Sequence, residues 1–384
     1  MMNFYTAHNK LGILGGGQLG KMLINEANKL NINCKVMDSN KEAPCSKLVE
    51  DFVIGDLLNY NDVYNFGKNV EVLTIEIENV NTDALKKLEE EGVKVYPSSE
   101  NIKIIQNKSV QKEFYLKHSL PSSFFKTYDN INDLIEEAEI EKYKYPFIWK
   151  SARFGYDGKG VKLINNITDL KNLPNIECII ETKVSIKKEL SVIVARNNNG
   201  QEVCFPTVEM EFNQANLVDK VICPAQISDE LNNKVIKLAL NTSRAFNHVG
   251  LLAIEIFLTN DDEILINEVA PRPHNSGHHT IECCVISQFE QHLRAILNLN
   301  LGNTTIKIPG VMINLVGEEN YFGRAIYHNI EKILNIAGAS IHIYGKNETK
   351  PNRKMGHITV VNKNLSKAKE LANSIRKSIK VISK

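Results

Sequence analysis

Short apolar runs alternate with amphipathic stretches over roughly the first hundred residues of the chain. An apolar run at residues 11–14 leads into three glycines, and the stretch at 19–27 then places apolar side chains on one face of a helix. Further apolar runs at 34–37 and 72–77 complete strand–helix–strand units, which build parallel sheets. The pattern therefore predicts an α/β domain with a parallel sheet over residues 1–100.

The rest of the chain has a different pattern of apolar positions. Short apolar runs recur between glycine and asparagine turns, with a helical stretch at 230–246 between two of them. This mixture predicts an α+β domain with antiparallel sheets over residues 101–305. A last apolar run at 311–315 and a helical stretch at 366–379 predict a small C-terminal domain over residues 306–384.

Composition narrows the class of protein. The 384 residues include 46 basic and 45 acidic side chains, a net charge of +1, which argues against a general nucleic-acid or membrane-surface binder. No apolar run approaches the roughly 20 residues that cross a bilayer, and the first ten residues lack the apolar core of a signal peptide. The seven cysteines include no CxxC pair. We therefore expect a soluble cytoplasmic protein without structural zinc.

The glycine turn at residues 15–20 has the spacing G-x-G-x-x-G between a predicted strand and a predicted helix. Such glycines let the backbone approach an anion, and the helix N-terminus offers free N–H groups. Asp38 ends the next strand, where a dinucleotide-binding domain carries its ribose-binding acid. By itself the segment is compatible with an NAD site, with a turn that binds nothing, or with a different phosphate site.

A second glycine-rich segment, at residues 150–161, follows a predicted strand and contains three glycines among charged residues. It lacks the G-x-x-x-x-G-K-[ST] pattern of a Walker loop. A glycine hairpin of this kind can close over the phosphates of a nucleotide, with a lysine neutralising them. An exposed β-hairpin without a ligand would show the same pattern, because Asp-Gly is a common turn dipeptide.

Acidic positions at the ends of two later strands form a candidate metal site. Glu255 lies in one predicted strand, and Asn267 and Glu268 end the next, after a polar turn at 259–262. Antiparallel pairing would place the two carboxylates side by side, where magnesium with a phosphate would compensate their charge. The alternative is a pair of surface acids facing water. The segment APRPHNSGH at 270–278 cannot form a regular element, which favours a functional loop.

These segments, taken together and in this order, resemble the ATP-grasp superfamily. Within it, GGGQLG, TIEIENV, FGYDGKG, INEVAPRPHNSGHHT, ISQFEQHLRAI, VMINLVG and RKMGHITV resemble the N5-carboxyaminoimidazole ribonucleotide synthases of purine biosynthesis. The resemblance extends from about Lys10 to the end of the chain. It implies a Rossmann-like N-terminal domain, a central ATP-grasp domain, a small C-terminal domain and a homodimer.

The resemblance also implies a reaction. Such an enzyme uses ATP and Mg²⁺ to join bicarbonate to 5-aminoimidazole ribonucleotide through carboxyphosphate, and it releases ADP and phosphate. Carboxyphosphate is short-lived in water, so a hairpin that closes over the site has a physical purpose. The segment at 181–184 would bind adenine through its backbone, and Glu189 would bind the ribose hydroxyls.

Site residues follow from the resemblance by position in each motif. The expected ATP-site residues are Lys108, Lys150, Gly155, Tyr156, Asp157, Gly158, Lys159, Gly160, Val161, Glu181, Thr182, Lys183, Val184, Glu189, Asn267 and Glu268. The expected ribonucleotide-site residues are Gln18, Glu76, Tyr156, Asp157, Arg272, His274, Lys346, Arg353 and Lys354. Asp157, Arg272 and His274 are the expected catalytic residues, and Glu255 and Glu268 the expected metal ligands. The late basic residues would also suit a solvated surface.

One strand departs from the family pattern. Met210 and Phe212 stand where many members carry Asn and His, which puts a polar contact from this strand to ATP in doubt. Phe212 can instead pack against the base.

Three other functions remain as alternatives. A nicotinamide oxidoreductase would use only the first domain. Another ATP-grasp ligase of purine biosynthesis, such as a formate-using or glycinamide-type enzyme, would share the nucleotide site but differ in the APRPHNSGH segment. A non-catalytic nucleotide-binding regulator would lack the metal pair.

Overall fold

The computed structural model describes residues 10–141, 144–153, 155, 160–213 and 215–384. The N-terminal part is a parallel sheet with helices packed against it, as the sequence predicts. Its strands are β1 (Lys10–Leu14), β2 (Asn33–Asp38), β3 (Asp51–Ile54), β4 (Val72–Ile75) and β5 (Lys94–Val95). They are ordered β3-β2-β1-β4-β5, and every neighbouring pair is parallel. The helices of this part are α1 (Gln18–Lys29), α2 (Tyr60–Gly67), α3 (Thr82–Glu90) and α4 (Ser99–Ile105). The next helix, α5 (Lys108–Lys117), buries Tyr115 in the hydrophobic core of the middle part.

The middle part begins with a small antiparallel sheet. Its elements are β6 (Phe125–Tyr128), α6 (Ile131–Glu141), β7 (Phe147–Ser151), β8 (Val161–Ile164), α7 (Ile167–Lys171) and β9 (Cys178–Thr182). The strand order is β6-β9-β7-β8. Apolar side chains from both helices and all four strands form one hydrophobic core, which includes Trp149 and Leu170, so this sheet has a core of its own.

A larger antiparallel sheet continues the middle part. Its elements are β10 (Ile186–Arg196), β11 (Glu202–Cys204), β12 (Val208–Phe212), β13 (Val218–Cys223), α8 (Asp229–Ala245), β14 (Gly250–Thr259), β15 (Ile264–Ala270), a short 3-10 helix (Asn275–Gly277), α9 (Thr280–Cys283) and α10 (Gln288–Ile296). The predicted α+β character of the middle part, with antiparallel sheets, is confirmed.

The C-terminal part extends this larger sheet. Its elements are β16 (Gly310–Val316), β17 (Gly323–His328), α11 (Ile330–Leu334), β18 (Ala339–Ile343), β19 (Glu348–Thr349), β20 (Lys354–Val361), α12 (Leu365–Ser378) and β21 (Lys380–Ser383). Because β13 pairs with β16, the sheet runs without a break from β15 to β18 in the order β15-β14-β10-β12-β13-β16-β20-β18. The predicted boundary near residue 305 therefore separates two parts that share one sheet.

The N-terminal sheet is fixed to the middle part by an apolar helix contact. Helix α1 buries Leu19 and Leu23 on one face, and α10 buries Phe289 and Leu293, and all four belong to one hydrophobic core. Burial of such a shared core holds the two parts in one orientation. Within the described residues, no helix is long and apolar enough to cross a membrane.

Candidate active site

The two carboxylates predicted as metal ligands lie side by side. Strands β14 and β15 form an antiparallel hairpin in which Glu255 is paired with Glu268 in register. The Glu255 side chain is 14% exposed, and that of Glu268 is 47% exposed and lies 3.1 Å from Lys108 Nζ. Burial and then the charge of Glu268 raise the pKa of Glu255, whereas Lys108 lowers the pKa of Glu268.

Lysines from two other elements face this pair. Asn107 caps the N-terminus of α5 by accepting bonds from the N–H groups of Ser109 and Val110, which places Lys108 in the first turn. Lys150, on β7, donates to Asn267 Oδ1 at 3.3 Å. The structure thus brings together Lys108, Lys150, Asn267 and the paired carboxylates in one cleft.

The side chain of Glu181 lies beneath these lysines. It is 4% exposed, with its oxygens 3.0 Å from Lys150 Nζ and 3.2 Å from Lys112 Nζ, and Ser123 donates to it at 3.0 Å. Burial raises the pKa of Glu181, but the two lysines outweigh it and hold that pKa below its usual range. Its carboxylate therefore neutralises the lysines and is not free to bind an adenine base.

Lys112 is a site residue that the sequence analysis missed. It is 3% exposed and bridges Glu181 and Ser123 from inside the protein. It lies four positions after Lys108, so the two lysines lie on one face of α5, and this spacing was the available signal.

The segment predicted to hold adenine and ribose follows Glu181 directly in the sequence. Thr182 ends β9, Lys183 and Val184 connect it to β10, and Glu189 points from β10 in register with Phe257 of β14. Burial raises the pKa of Glu189 to about 7. Met210, opposite Glu189 on β12, is buried in a hydrophobic core.

Phe212 is half-buried and packs against the same hydrophobic core as Met210. The strand that carries Asn and His in many family members is therefore apolar here at both positions. Packing of Phe212 against a base stays a prediction.

The glycine turn is occupied by the protein's own carboxylates. Glu76, just beyond β4, accepts hydrogen bonds from the N–H groups of Gly17, Leu19 and Gly20 at 2.9–3.2 Å. Asp38 accepts from the N–H of Gly16 at 2.7 Å. A side chain at Gly17 would approach Glu76 Oε1 to 2.4 Å, which is why glycine is needed there. The anion that this helix N-terminus attracts is thus Glu76.

The APRPHNSGH loop joins this turn to the carboxylate pair. Arg272 Nε lies 2.8 Å from Glu78 Oε1, and its charge also acts on Glu76. His274 Nε2 lies 3.6 Å from Glu255 Oε1. The loop therefore brings His274 to the carboxylate pair and Arg272 to Glu78 and the neighbouring Glu76. Gln18 is half-buried at the start of α1.

Buried amides fix the path of this loop. Gln288, 0% exposed, accepts from the His274 N–H at 2.9 Å and donates to the His274 carbonyl at 2.8 Å. Asn275 and Asn314 exchange two side-chain hydrogen bonds of 2.8 and 2.9 Å. Gln288 was missed in the sequence because a polar residue at the start of a helix is common, and only its complete burial distinguishes it.

The predicted basic cluster lies at the turn before β20. Lys346 donates to the carbonyl of Lys354 at 2.8 Å, and Arg353 donates to the carbonyl of Glu348 at 2.8 Å. Lys354 is close enough to Glu255 to lower its pKa. Lys21 of α1, which the sequence analysis missed, reaches the same turn by donating to the Ile343 carbonyl at 2.9 Å.

The predicted glycine lid is described only at its ends. Gly155 and Gly160 are described, with Gly160 at φ +77° and its carbonyl accepting from the Ser151 N–H at 2.8 Å, and Val161 begins β8. The other predicted lid residues lie outside the described residues: Tyr156, Asp157, Gly158 and Lys159.

Three family models match the chain in the order that the fold shows. Residues 8–106 match a ribonucleotide synthetase preATP-grasp domain, and residues 113–289 match an ATP-grasp domain. Residues 310–371 match a phosphoribosylaminoimidazole carboxylase C-terminal domain.

Relatives of known sequence share most of the chain. The N5-carboxyaminoimidazole ribonucleotide synthase of Bacillus subtilis is 37% identical over 91% of this chain and 90% of its own length. The phosphoribosylaminoimidazole carboxylase of Candida glabrata is 38% identical over 91% of this chain, but this chain spans only 63% of that longer protein.

Solved structures with the same fold carry the same enzyme names as these sequence relatives. The N5-carboxyaminoimidazole ribonucleotide synthetase of Thermotoga maritima superimposes with a TM-score of 0.90 at 41% identity, over 98% of this chain and 100% of that one. An Aspergillus clavatus N5-carboxyaminoimidazole synthase, solved with ADP and 5-aminoimidazole ribonucleotide, gives 0.85 at 34% identity, over 96% and 98% of the two chains. The chain belongs to the N5-carboxyaminoimidazole ribonucleotide synthase family of ATP-grasp ligases.

Proposed function

We propose that this protein is an ATP-dependent ligase that carboxylates 5-aminoimidazole ribonucleotide with bicarbonate to N5-carboxyaminoimidazole ribonucleotide, giving ADP and phosphate. The observation that carries the proposal is the contact of His274 with Glu255 at 3.6 Å, which joins two chemically different sides of one site. Lysines and the paired carboxylates form one side, and Glu76, Arg272 and His274 form the other. The Aspergillus clavatus relative that holds ADP and 5-aminoimidazole ribonucleotide supports the choice of these two ligands.

ATP is assigned to the side between the two antiparallel sheets. Lys108 and Lys150 would neutralise the phosphates, the backbone at 181–184 would bind adenine, and Glu189 would accept hydrogen bonds from the ribose hydroxyls. Lys112 and Glu181 would keep Lys150 in place, because the buried carboxylate is bonded to both lysines.

The paired carboxylates fit a magnesium ion. Oxygen ligands from one or two carboxylates plus nucleotide phosphates are the usual environment of Mg²⁺. The two carboxylates are adjacent, and burial and then the charge of Glu268 raise the pKa of Glu255, so a bound cation would stabilise its charged form. We assign Glu255 and Glu268 as ligands, with Asn267 beside them. Bound magnesium would supply charge neutralisation at the phosphate oxygens.

The other side of the cleft suits the activation and transfer of bicarbonate. Bicarbonate is a poor electrophile, and its phosphorylation gives carboxyphosphate, from which phosphate leaves. The exocyclic amine of the ribonucleotide is weakly basic and must be held beside the activated carbon with water excluded. We assign the binding of the negative oxygens there to Arg272 and His274, because Arg272 lies beside Glu78 and His274 lies beside Glu255. Asp157 on the lid is the expected partner of the amine.

The ribonucleotide phosphate is assigned to the basic turn. Lys346, Arg353 and Lys354 lie within one short stretch, and Lys21 approaches the same turn from α1. Arginine and lysine pair strongly with phosphate oxygens.

Arg353→Ala should raise the KM for 5-aminoimidazole ribonucleotide roughly ten- to a hundredfold, because a charge-assisted phosphate contact contributes about 1.5–3 kcal/mol. The KM for ATP should change little. Steady-state kinetics with each substrate varied in turn would measure both constants. Lys363→Ala, at an exposed lysine after β20, is the matched control. Equal increases in both constants for Arg353→Ala would contradict a phosphate contact.

The reaction class is tested by omitting one substrate at a time. ADP should form rapidly when 5-aminoimidazole ribonucleotide, bicarbonate, Mg²⁺ and ATP are all present, and ADP formation should fall sharply in degassed, bicarbonate-free buffer. Formate or glycine should not replace the missing substrates. ADP release that is indifferent to bicarbonate, or that formate supports equally well, would favour another purine ligase.

The nicotinamide alternative conflicts with the glycine turn. The N–H groups that would bind a dinucleotide pyrophosphate are bonded to Glu76 and Asp38.

We further propose that the protein forms a homodimer in the cytoplasm. Its seven free cysteines suit a reducing compartment, and light scattering should give twice the chain mass of 43.3 kDa.

A further inference from the structure

Two buried hydroxyl groups stand behind His274, on the side away from the cleft. Ser276 Oγ lies 2.9 Å from His274 Nδ1 and 2.8 Å from Ser191 Oγ. Ser276 is 0% exposed and Ser191 is 1% exposed. The three side chains therefore form a hydrogen-bonded chain that runs from β10 to the imidazole ring.

A backbone N–H group determines which atoms donate and which accept in this chain of hydrogen bonds. The Ser276 N–H donates to His274 Nδ1 at 3.3 Å, so that the His274 ring caps the short helix at Asn275–Gly277. A backbone N–H can only donate, so Nδ1 is an acceptor and the ring proton is on Nε2. The Ser276 hydroxyl then also donates to Nδ1, and the Ser191 hydroxyl donates to Ser276 Oγ.

Ser191 stands in a fixed relation to the carboxylate pair. In the sheet, Ser191 of β10 is paired with Glu255 of β14, which is paired in turn with Glu268 of β15. Residues paired across strands lie on the same face of a sheet. The same row of three strands therefore carries both acids and the serine that supports the His274 ring.

We propose that Ser191 and Ser276 are positioning residues that hold the His274 ring with Nδ1 as the acceptor and Nε2–H directed into the cleft, towards Glu255. In this orientation Nε2 donates a hydrogen bond to a negatively charged substrate oxygen and does not accept a proton. The hydrogen bond from Nε2 to a substrate oxygen rests on the proposed function. The orientation and the tautomer of the His274 ring do not depend on that function.

The tautomer is measured directly on the unmodified protein. In protein with ¹⁵N-labelled histidine at about pH 8, where an ordinary imidazole is neutral, His274 should show an unprotonated Nδ1 and a protonated Nε2. Loss of these signals in His274→Asn would assign them among the ten histidines. A protonated Nδ1 in the unmodified protein would overturn the proposal, whatever reaction the protein catalyses.

The positioning role is measured with serine variants. Ser276→Ala should lower kcat roughly three- to tenfold, the value of one hydrogen bond, with the KM for ATP unchanged. Ser191→Ala should have a smaller effect and should add nothing in the Ser276→Ala background, because both act along one chain. Ser276→Ala should also increase the Nδ1-protonated form of His274.

Ser243→Ala, at a buried serine of α8, is the matched control and should leave kcat unchanged. Losses of kcat that are additive for Ser191→Ala and Ser276→Ala, or an equal loss in Ser243→Ala, would overturn the positioning role. If the unmodified protein shows no bicarbonate-dependent ADP formation, the proposed function fails while the tautomer measurement still stands.

Discussion

Replacing Glu268 by glutamine should reduce ATP turnover roughly a thousandfold or more. The substitution keeps the shape of the side chain but removes the charge that would hold magnesium, and metal stabilisation of phosphoryl oxygens is worth several kcal/mol. It also leaves Lys108 without its carboxylate partner at 3.1 Å. Coupled-enzyme measurement of ADP release, with all substrates saturating, would give the change.

Glu263→Gln is the matched control for this substitution. Glu263 lies at the exposed turn of the same β14–β15 hairpin, outside the cleft, so its variant should turn over ATP normally. Circular dichroism should show both variants folded, because the Glu268 side chain is half-exposed and glutamine keeps its shape. Near-normal turnover by a folded Glu268→Gln protein would remove Glu268 from the metal site.

Replacing Lys150 by methionine should lower kcat/KM for ATP roughly a hundredfold or more. A charged donor aimed at a transferring phosphoryl group contributes on this scale when water is excluded. The variant also removes one of the two lysines that neutralise the buried Glu181, so the cleft becomes less favourable to the negative nucleotide. Steady-state kinetics and ADP binding by calorimetry would separate the loss of binding from the loss of turnover.

Lys162→Met provides the control on the neighbouring strand. Lys162 is exposed on β8, in register with Trp149, and has no assigned role in the cleft. Its variant should bind ADP and turn over ATP as the unmodified protein does. An unaltered kcat/KM in Lys150→Met, or an equal loss in Lys162→Met, would contradict a phosphate contact by Lys150.

The elements of this fold were predictable where the signal is local. Apolar periodicity over a few residues encodes which face of a strand or helix is buried, and glycine or polar turns mark where elements end. The parallel order of the N-terminal strands follows from their alternation with helices. The pairing of Glu255 with Glu268 followed from a single polar turn between two strands, and the structure confirms it.

The glycine turn shows where local information ends. Its sequence left three possibilities open, an NAD site, a different phosphate site or a turn that binds nothing, because the glycine spacing and the helix position are the same in all three. The acceptor is Glu76, 56–59 positions along the chain from the N–H groups that it binds. Only the pairing of β1 with β4 brings that carboxylate to the turn.

The sequence by itself determined the order of elements, the parallel and antiparallel character of the sheets, the family and the carboxylate pair. Only the tertiary structure decided which groups satisfy the charges and N–H groups of the cleft: Lys112 and Lys150 at Glu181, Lys21 at the basic turn and Ser191 behind His274. The physical reason is that burial and backbone conformation are encoded by neighbouring residues, whereas hydrogen-bond partners of buried polar groups come from elements that packing alone brings together.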